Sequence, residues 1–162
     1  MSTATSFGSE AARPDGRGLR FGVVVARFNS DITERLLRGA LRGFSACGVE
    51  AADVMVVRVP GAVELPLGAQ RLLRAPHFAA GVAVLGCVIR GETTHYDYVC
   101  RAATDGVLRV MLDESKPVAF GVLTCETAGQ ALSRAGDGDD NKGFEAALTA
   151  VETARLRTEP TP

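Results

Sequence analysis

The sequence predicts a three-layer α/β domain in which helices cover both faces of a central four-stranded parallel sheet. Three observations carry this. Four short runs rich in β-branched residues are almost continuously apolar, as strands covered on both faces are. Segments of helical period alternate with them, so each strand returns through a helix. The chain's 162 residues are 46% hydrophobic and 23% charged, ordinary for one globular domain rather than a disordered or multidomain chain.

Residues 1–18 hold Gly8, Pro14, Gly16 and Gly18 and few large apolar groups, and are read as a loose, disordered tail. The strands are residues 21–26, 54–59, 81–89 and 118–124. Ile32, Leu36, Leu37, Ala40, Leu41 and Phe44 keep one helical face apolar, Asp31 and Glu34 suit the positive N-terminal end, and Gly48 is a stop. A second helix spans 65–73, with Pro66 tolerated near its start and Ala75-Pro76 ending it. A third lies around 96–111, before Lys116-Pro117. Thr127 and Gln130 have capping-box spacing and open a short fourth helix. Phe144, Ala147, Leu148 and Val151 repeat at i, i+3, i+4 and i+7 and make the last. Residues 19–157 form the domain and 158–162 a flexible end.

Eighteen Lys plus Arg against nineteen Asp plus Glu leave a net charge of -1, with no broad cationic field for nucleic acid or an anionic membrane. An anion must be held by a few local groups. Cys47, Cys87, Cys100 and Cys125 lie far apart without C-x-x-C spacing, which suggests neither a zinc cage nor a disulfide framework. The tail lacks an apolar core of signal-peptide length, and no run of apolar residues is long enough to span a membrane. The expected location is the cytoplasm.

Several motifs fail in informative ways. Gly86 to Thr93 has P-loop spacing, but Glu92 stands where a Lys must neutralise phosphates, which excludes a nucleotide triphosphatase. Asp137, Asp139 and Asn141 imitate an EF-hand start, yet Lys142 replaces its turn Gly and Leu148 its bidentate Glu. No dinucleotide-binding glycine fingerprint follows the first strand, and Ala26-Arg27 lacks the acids of a phosphorylation receiver.

Ligands of such sheets bind beyond the carboxyl ends of the strands. There His95 follows Gly91-Glu-Thr-Thr94 at a strand-to-helix turn, as an imidazole suited to proton transfer near neutral pH. The amides and hydroxyls of that turn can receive an anion or simply cap the helix. Arg134 offers a planar fork to a phosphate, or is a solvated helix-end cation. Lys142, one of only two lysines, sits at a helix start where it needs an anionic partner, and Asp137, Asp139 and Asp140 are near enough to serve. Glu64 is an acid in an apolar turn, Phe28 offers a ring face to a planar heterocycle or joins the core, and His77 is read as structural.

Taken in order, Arg27-Phe-Asn29, Val59-Pro-Gly-Ala-Val-Glu-Leu-Pro66, the block Leu85 to Val99, residues 117–124 and Asn141-Lys-Gly143 resemble the 6,7-dimethyl-8-ribityllumazine synthase family, of the riboflavin synthase beta chain type. The resemblance runs from about Leu19 to Arg157. It implies a flavodoxin-like α/β sandwich that needs no cofactor. That enzyme condenses 5-amino-6-(D-ribitylamino)uracil with 3,4-dihydroxy-2-butanone 4-phosphate and releases phosphate and water in riboflavin biosynthesis. Carried over by motif, Phe28 stacks on the pyrimidine with Asn29 beside it. Ala62, Val63 and Glu64 contact the ribityl chain and ring edge, and the backbone at Cys87, Val88 and Ile89 reads the uracil. Glu92 and Thr93 cradle the phosphate with Arg134, His95 is the general acid/base, and Phe120 and Lys142 complete the pocket.

The resemblance also implies homo-oligomers, pentamers or multiples up to a sixty-subunit icosahedral shell. Sites then lie between neighbouring chains, with Phe120 and Arg134 coming from the adjacent one, and riboflavin synthase is an implied partner. Val63 stands where the family motif often has Phe, and Gly138 where some members carry a Lys. A non-catalytic lumazine- or flavin-binding or shell-forming paralogue is the competing reading, against which His95, Arg134 and Lys142 together count. A generic flavodoxin-like binding module is a third, disfavoured by the lack of a Ser/Thr-rich phosphate loop after the first strand.

Overall fold

The computed structural model, which describes residues 13–76 and 79–157, shows all four expected strands. Residues 21–26 and most of 81–89 are buried on both sides, whereas 54–59, at the edge of the sheet, is at most half-buried, with Met55 and Arg58 exposed. The strands are β1 (Phe21–Ala26), β2 (Val54–Val59), β3 (Gly81–Ile89) and β4 (Val118–Cys125), paired in parallel in the order β2-β1-β3-β4. The helices are α1 (Ser30–Ala46), α2 (Leu65–Arg74), α3 (His95–Glu114), α4 (Ala128–Ser133) and α5 (Lys142–Ala154). The expected three-layer, flavodoxin-like α/β architecture is present.

Alternate residues of each strand serve the two faces. Phe21, Val23 and Val25 of β1, with Ala83 and Leu85 of β3, pack under α1, α4 and α5 around Leu36, Phe44 and Leu148. Val24, Val82, Val84 and Val122 pack under α2 and α3 around Leu65, Leu72 and Val107. From β1 the chain steps outward to β2 through α1 on one face. It then returns across β1 to β3 and on to β4 through α2 and α3 on the other, so all three crossovers share one hand. The order therefore reverses between β1 and β3, and a crevice opens at their carboxyl ends.

The boundaries differ from the expectation in small, explicable ways. β4 gains Cys125, which pairs with Ile89. α3 begins at His95 and runs on to Glu114, because Arg109 pairs with Asp113 along the helix and Arg74 of α2 holds Glu114, after which Ser115 adopts left-handed backbone (φ 50°). Short 3₁₀ turns at Ala51–Asp53 and Ala62–Glu64 are too brief to leave a periodic signal. Residues 13–18, from the segment read as a tail, lie against the domain: the Gly16 amide donates to Cys47 O at 2.7 Å, and Arg155 donates to the carbonyls of Asp15 and Arg17. Residues 1–12, 158–162 and His77 lie outside the described residues.

Candidate active site

The crevice is set by register. β1 pairs with β3 only as far as Val25 and Leu85, whereas β3 stays paired with β4 out to Ile89 and Cys125. Beyond Leu85, the side of β3 that faces β1 has no neighbouring strand. The Arg90 amide donates to Cys125 O, so even-numbered residues there address β4, and the peptide groups of Cys87 and Ile89 point the other way, over the end of β1. Asn29 takes up one of these groups, donating from Nδ2 to Cys87 O at 2.8 Å. Asn29 itself has left-handed backbone (φ 59°, ψ 47°), which Asn tolerates better than most residues. It thus turns the chain into α1 and pins the Phe28 loop to β3.

Around this overhang lies a cleft of about 590 Å³ with a mainly apolar lining. The exit of β1 supplies Phe28, and the turn before α2 supplies Ala62, Val63 and Glu64. The end of β3 supplies Cys87, Val88 and Ile89, and the turn into α3 supplies Thr93 and His95. Phe28 is 72% exposed, so its ring is a free wall and not part of the core. The Glu64 carboxylate accepts the Gly61 amide at 3.0 Å, bracing the turn from inside. Burial foremost, with the nearby Cys125 and Asp31, pushes the Cys87 thiol up to about 12, so it stays protonated and is a wall rather than a nucleophile.

The start of α3 is open. Thr94 occupies the N-cap without a side-chain cap bond, and Thr93 Oγ1 accepts the His95 amide at 3.3 Å. The hydroxyls thus leave most of the helix-start amides uncapped, which is the arrangement that receives an anion. Glu92, Thr93 and His95 are exposed, and Glu92 flanks the cleft without lining it.

Phe120, Arg134 and Lys142 stand elsewhere, along a second cleft of about 330 Å³ between β4 and α5. Arg134 folds back on α4, donating from one terminal nitrogen to Gln130 O and Ser133 Oγ. The anionic partner of Lys142 is Glu145 at 2.8 Å, one helical turn on, and none of the aspartates. Asp139 instead meets Arg13 and Arg42, whose guanidinium groups each lie over the Phe144 ring, 5.6 Å from its centre. Asn141 holds Lys142 in place: its Oδ1 accepts the amides of Gly143 and Phe144 while its Nδ2 donates to Arg35 O and Gly136 O.

Sequence reasoning missed Tyr96 and Val99 in the first cleft and Glu145 and Thr149 in the second. Each lies on a helix within a turn or two of a residue it did select, so helical spacing alone was the available signal. All four cysteines are free, and among the described residues no cluster of His, Cys, Asp or Glu is gathered as metal ligands. Among those residues, no helix is long and apolar enough to cross a membrane.

Residues 18–158 match the family model of 6,7-dimethyl-8-ribityllumazine synthase. The chain belongs to that family. Lumazine synthases are enzymes of riboflavin biosynthesis, and the match spans every element described above.

Proposed function

We propose that the chain condenses 5-amino-6-(D-ribitylamino)uracil with 3,4-dihydroxy-2-butanone 4-phosphate. The observation that carries this is the union, in one apolar cleft, of an exposed imidazole, an uncapped helix start and strand peptide groups that no neighbouring strand covers. Phe28 stacks on the pyrimidine, and the peptide groups of Cys87 and Ile89, with Val88 between them, match the alternating donors and acceptors of a uracil edge. Ala62, Val63 and Glu64 take the ribityl chain. The amides at Glu92 and Thr93 take the phosphate dianion.

The amine adds to the ketone and loses water to form an imine between the substrates. Phosphate then leaves, and ring closure releases water again. His95 moves the protons in these steps. Much of the acceleration comes from holding two substrates together. Because the imine forms between substrates, Lys142 has no Schiff-base role; with Arg134 it supplies positive charge for the departing phosphate.

Arg134, Lys142 and Phe120 are separated from His95 within one chain, which supports a site completed by a neighbouring subunit of a homo-oligomer. The second cleft of one chain then closes over the first cleft of the next.

The test is lumazine formation followed by absorbance and fluorescence, against an uncatalysed blank and His95→Ala. Product well above both supports the reading. No gain over the blank from folded, assembled protein overturns it in favour of a binding or shell-forming protein.

A further inference from the structure

Between the two clefts, one side chain links the ends of two strands to the start of α3. Arg90 directly follows β3, and its guanidinium meets Glu126, just beyond β4, at 3.0 Å from Nε. It also reaches Asp97 in the first turn of α3 at 3.4 Å and lies over the Tyr96 ring, 4.3 Å from its centre. The side chains of Thr124 and Cys100 lie near the Tyr96 phenol. From Glu126 the connection continues into α4, since the Glu126 amide donates to Gln130 Oε1 at 2.8 Å and Arg134 donates to Gln130 O.

The loop so enclosed, residues 91–94, is exposed. Inside it the His95 amide donates to Thr93 Oγ1, and the Asp97 amide to Thr94 O at 3.0 Å. Gly91 has open space around it. Little packing therefore sets the direction of the amides at 92 and 93, and a brace across the ends of the loop must do so. Arg90 is that brace: its own amide fixes the loop's beginning to Cys125 O, and its side chain fixes the loop's end through Tyr96 and Asp97. Half-exposed ion pairs add little to stability, so what this guanidinium supplies is geometry. A planar fork stacked on a ring holds direction as well as distance, which an ammonium does not.

We infer that Arg90 is a positioning residue, locking the start of α3 against the end of β4 so that the amides at Glu92 and Thr93 aim together at the phosphate and His95 keeps its place beside them. The inference rests on the phosphate reading of that loop given above.

The experiment measures Michaelis constants for both substrates in wild type, Arg90→Met, Arg90→Lys and Glu126→Gln, with assembly checked by size. In Arg90→Met the constant for the butanone phosphate rises about tenfold while that for the pyrimidine stays within about twofold, the split expected when one binding group loses its aim. Arg90→Lys falls between wild type and Arg90→Met, and Glu126→Gln shifts the same constant by less. Parallel changes in both constants, or none in either, overturn the inference. Should Arg90→Met fail to fold, the Lys and Gln variants decide it by the same split. Should the wild type make no lumazine, the proposed function falls. Amide exchange across residues 91–97 then decides the brace, with faster exchange in Arg90→Met expected and unchanged exchange overturning it.

Discussion

At Asn29, His95 and Arg134 single substitutions separate stability from the proposed chemistry. Asn29 trades an unfavourable backbone region for a hydrogen bond that closes β1 onto β3. Asn29→Ala keeps the strained backbone and leaves the Cys87 carbonyl without this donor, so about 1–2 kcal/mol of stability is lost, measurable by urea denaturation. Its loss also frees the Phe28 loop, and affinity for the pyrimidine falls with it. His95 is exposed and carries no structural burden in the chain, so His95→Ala leaves thermal stability within a few degrees and lowers turnover by about two orders of magnitude, the usual scale of general acid/base work. Arg134→Ala raises the Michaelis constant for the phosphorylated substrate most, and an equal rise for both substrates would undo that assignment. That Phe28, Glu64, Thr93 and His95 lie around one cleft was legible because polar and aromatic groups just beyond apolar strands stand out. The partner of Lys142 was not, because sequence nearness favoured the aspartates, whereas the helix turns Glu145 toward it.

At the scale of elements, the tightest junction is the crossing of α1 and α5. A Cβ on Gly43 would lie 2.7 Å from Phe144 O and 2.8 Å from the Ala147 methyl, so two backbones approach where only glycine fits. Asn141, buried at the same crossing, caps α5 and satisfies two further carbonyls. Asn141→Ala costs about 2–4 kcal/mol, combining a lost cap with stranded buried carbonyls, and shows as a lowered urea midpoint. Acid stability also belongs to this scale. The Arg58 hydrogen bond holds Glu34 below the usual carboxylate range and ties α1 to β2, and Arg74 does the same for Glu114 between α2 and α3. Unfolded carboxyls take up protons first as pH falls, so this stabilisation is present above the ordinary glutamate value of 4.5 and is lost through the lower folded values. A Glu34→Gln, Glu114→Gln double variant therefore loses less melting temperature than wild type between about pH 6 and about pH 3. Strands and helices were readable because their periods are local, but the close α1–α5 approach depends on which helices share a face.

For the whole molecule, the two clefts are the decisive feature. If neighbouring chains complete one another, His95→Ala and Arg134→Ala subunits assembled together at equal amounts regain about a quarter of wild-type turnover, since about one interface in four joins two intact halves. Mixed assemblies no more active than the separate variants would mean that one chain holds the whole site. The switch from outward to inward crossover puts the first cleft between β1 and β3, and the fourth strand carries the second cleft away from it.

The sequence by itself determined the four strands, the helices between them and the loops at the carboxyl ends that line the first cleft, since hydrophobic period, caps and turn residues act over a few positions. Only the tertiary structure decided the order β2-β1-β3-β4, the overhang of β3 beyond β1, the Arg90 brace and the separation of Arg134 and Lys142 from His95. These follow from register and from which helix packs on which face, and both are settled by contacts between residues far apart in the chain.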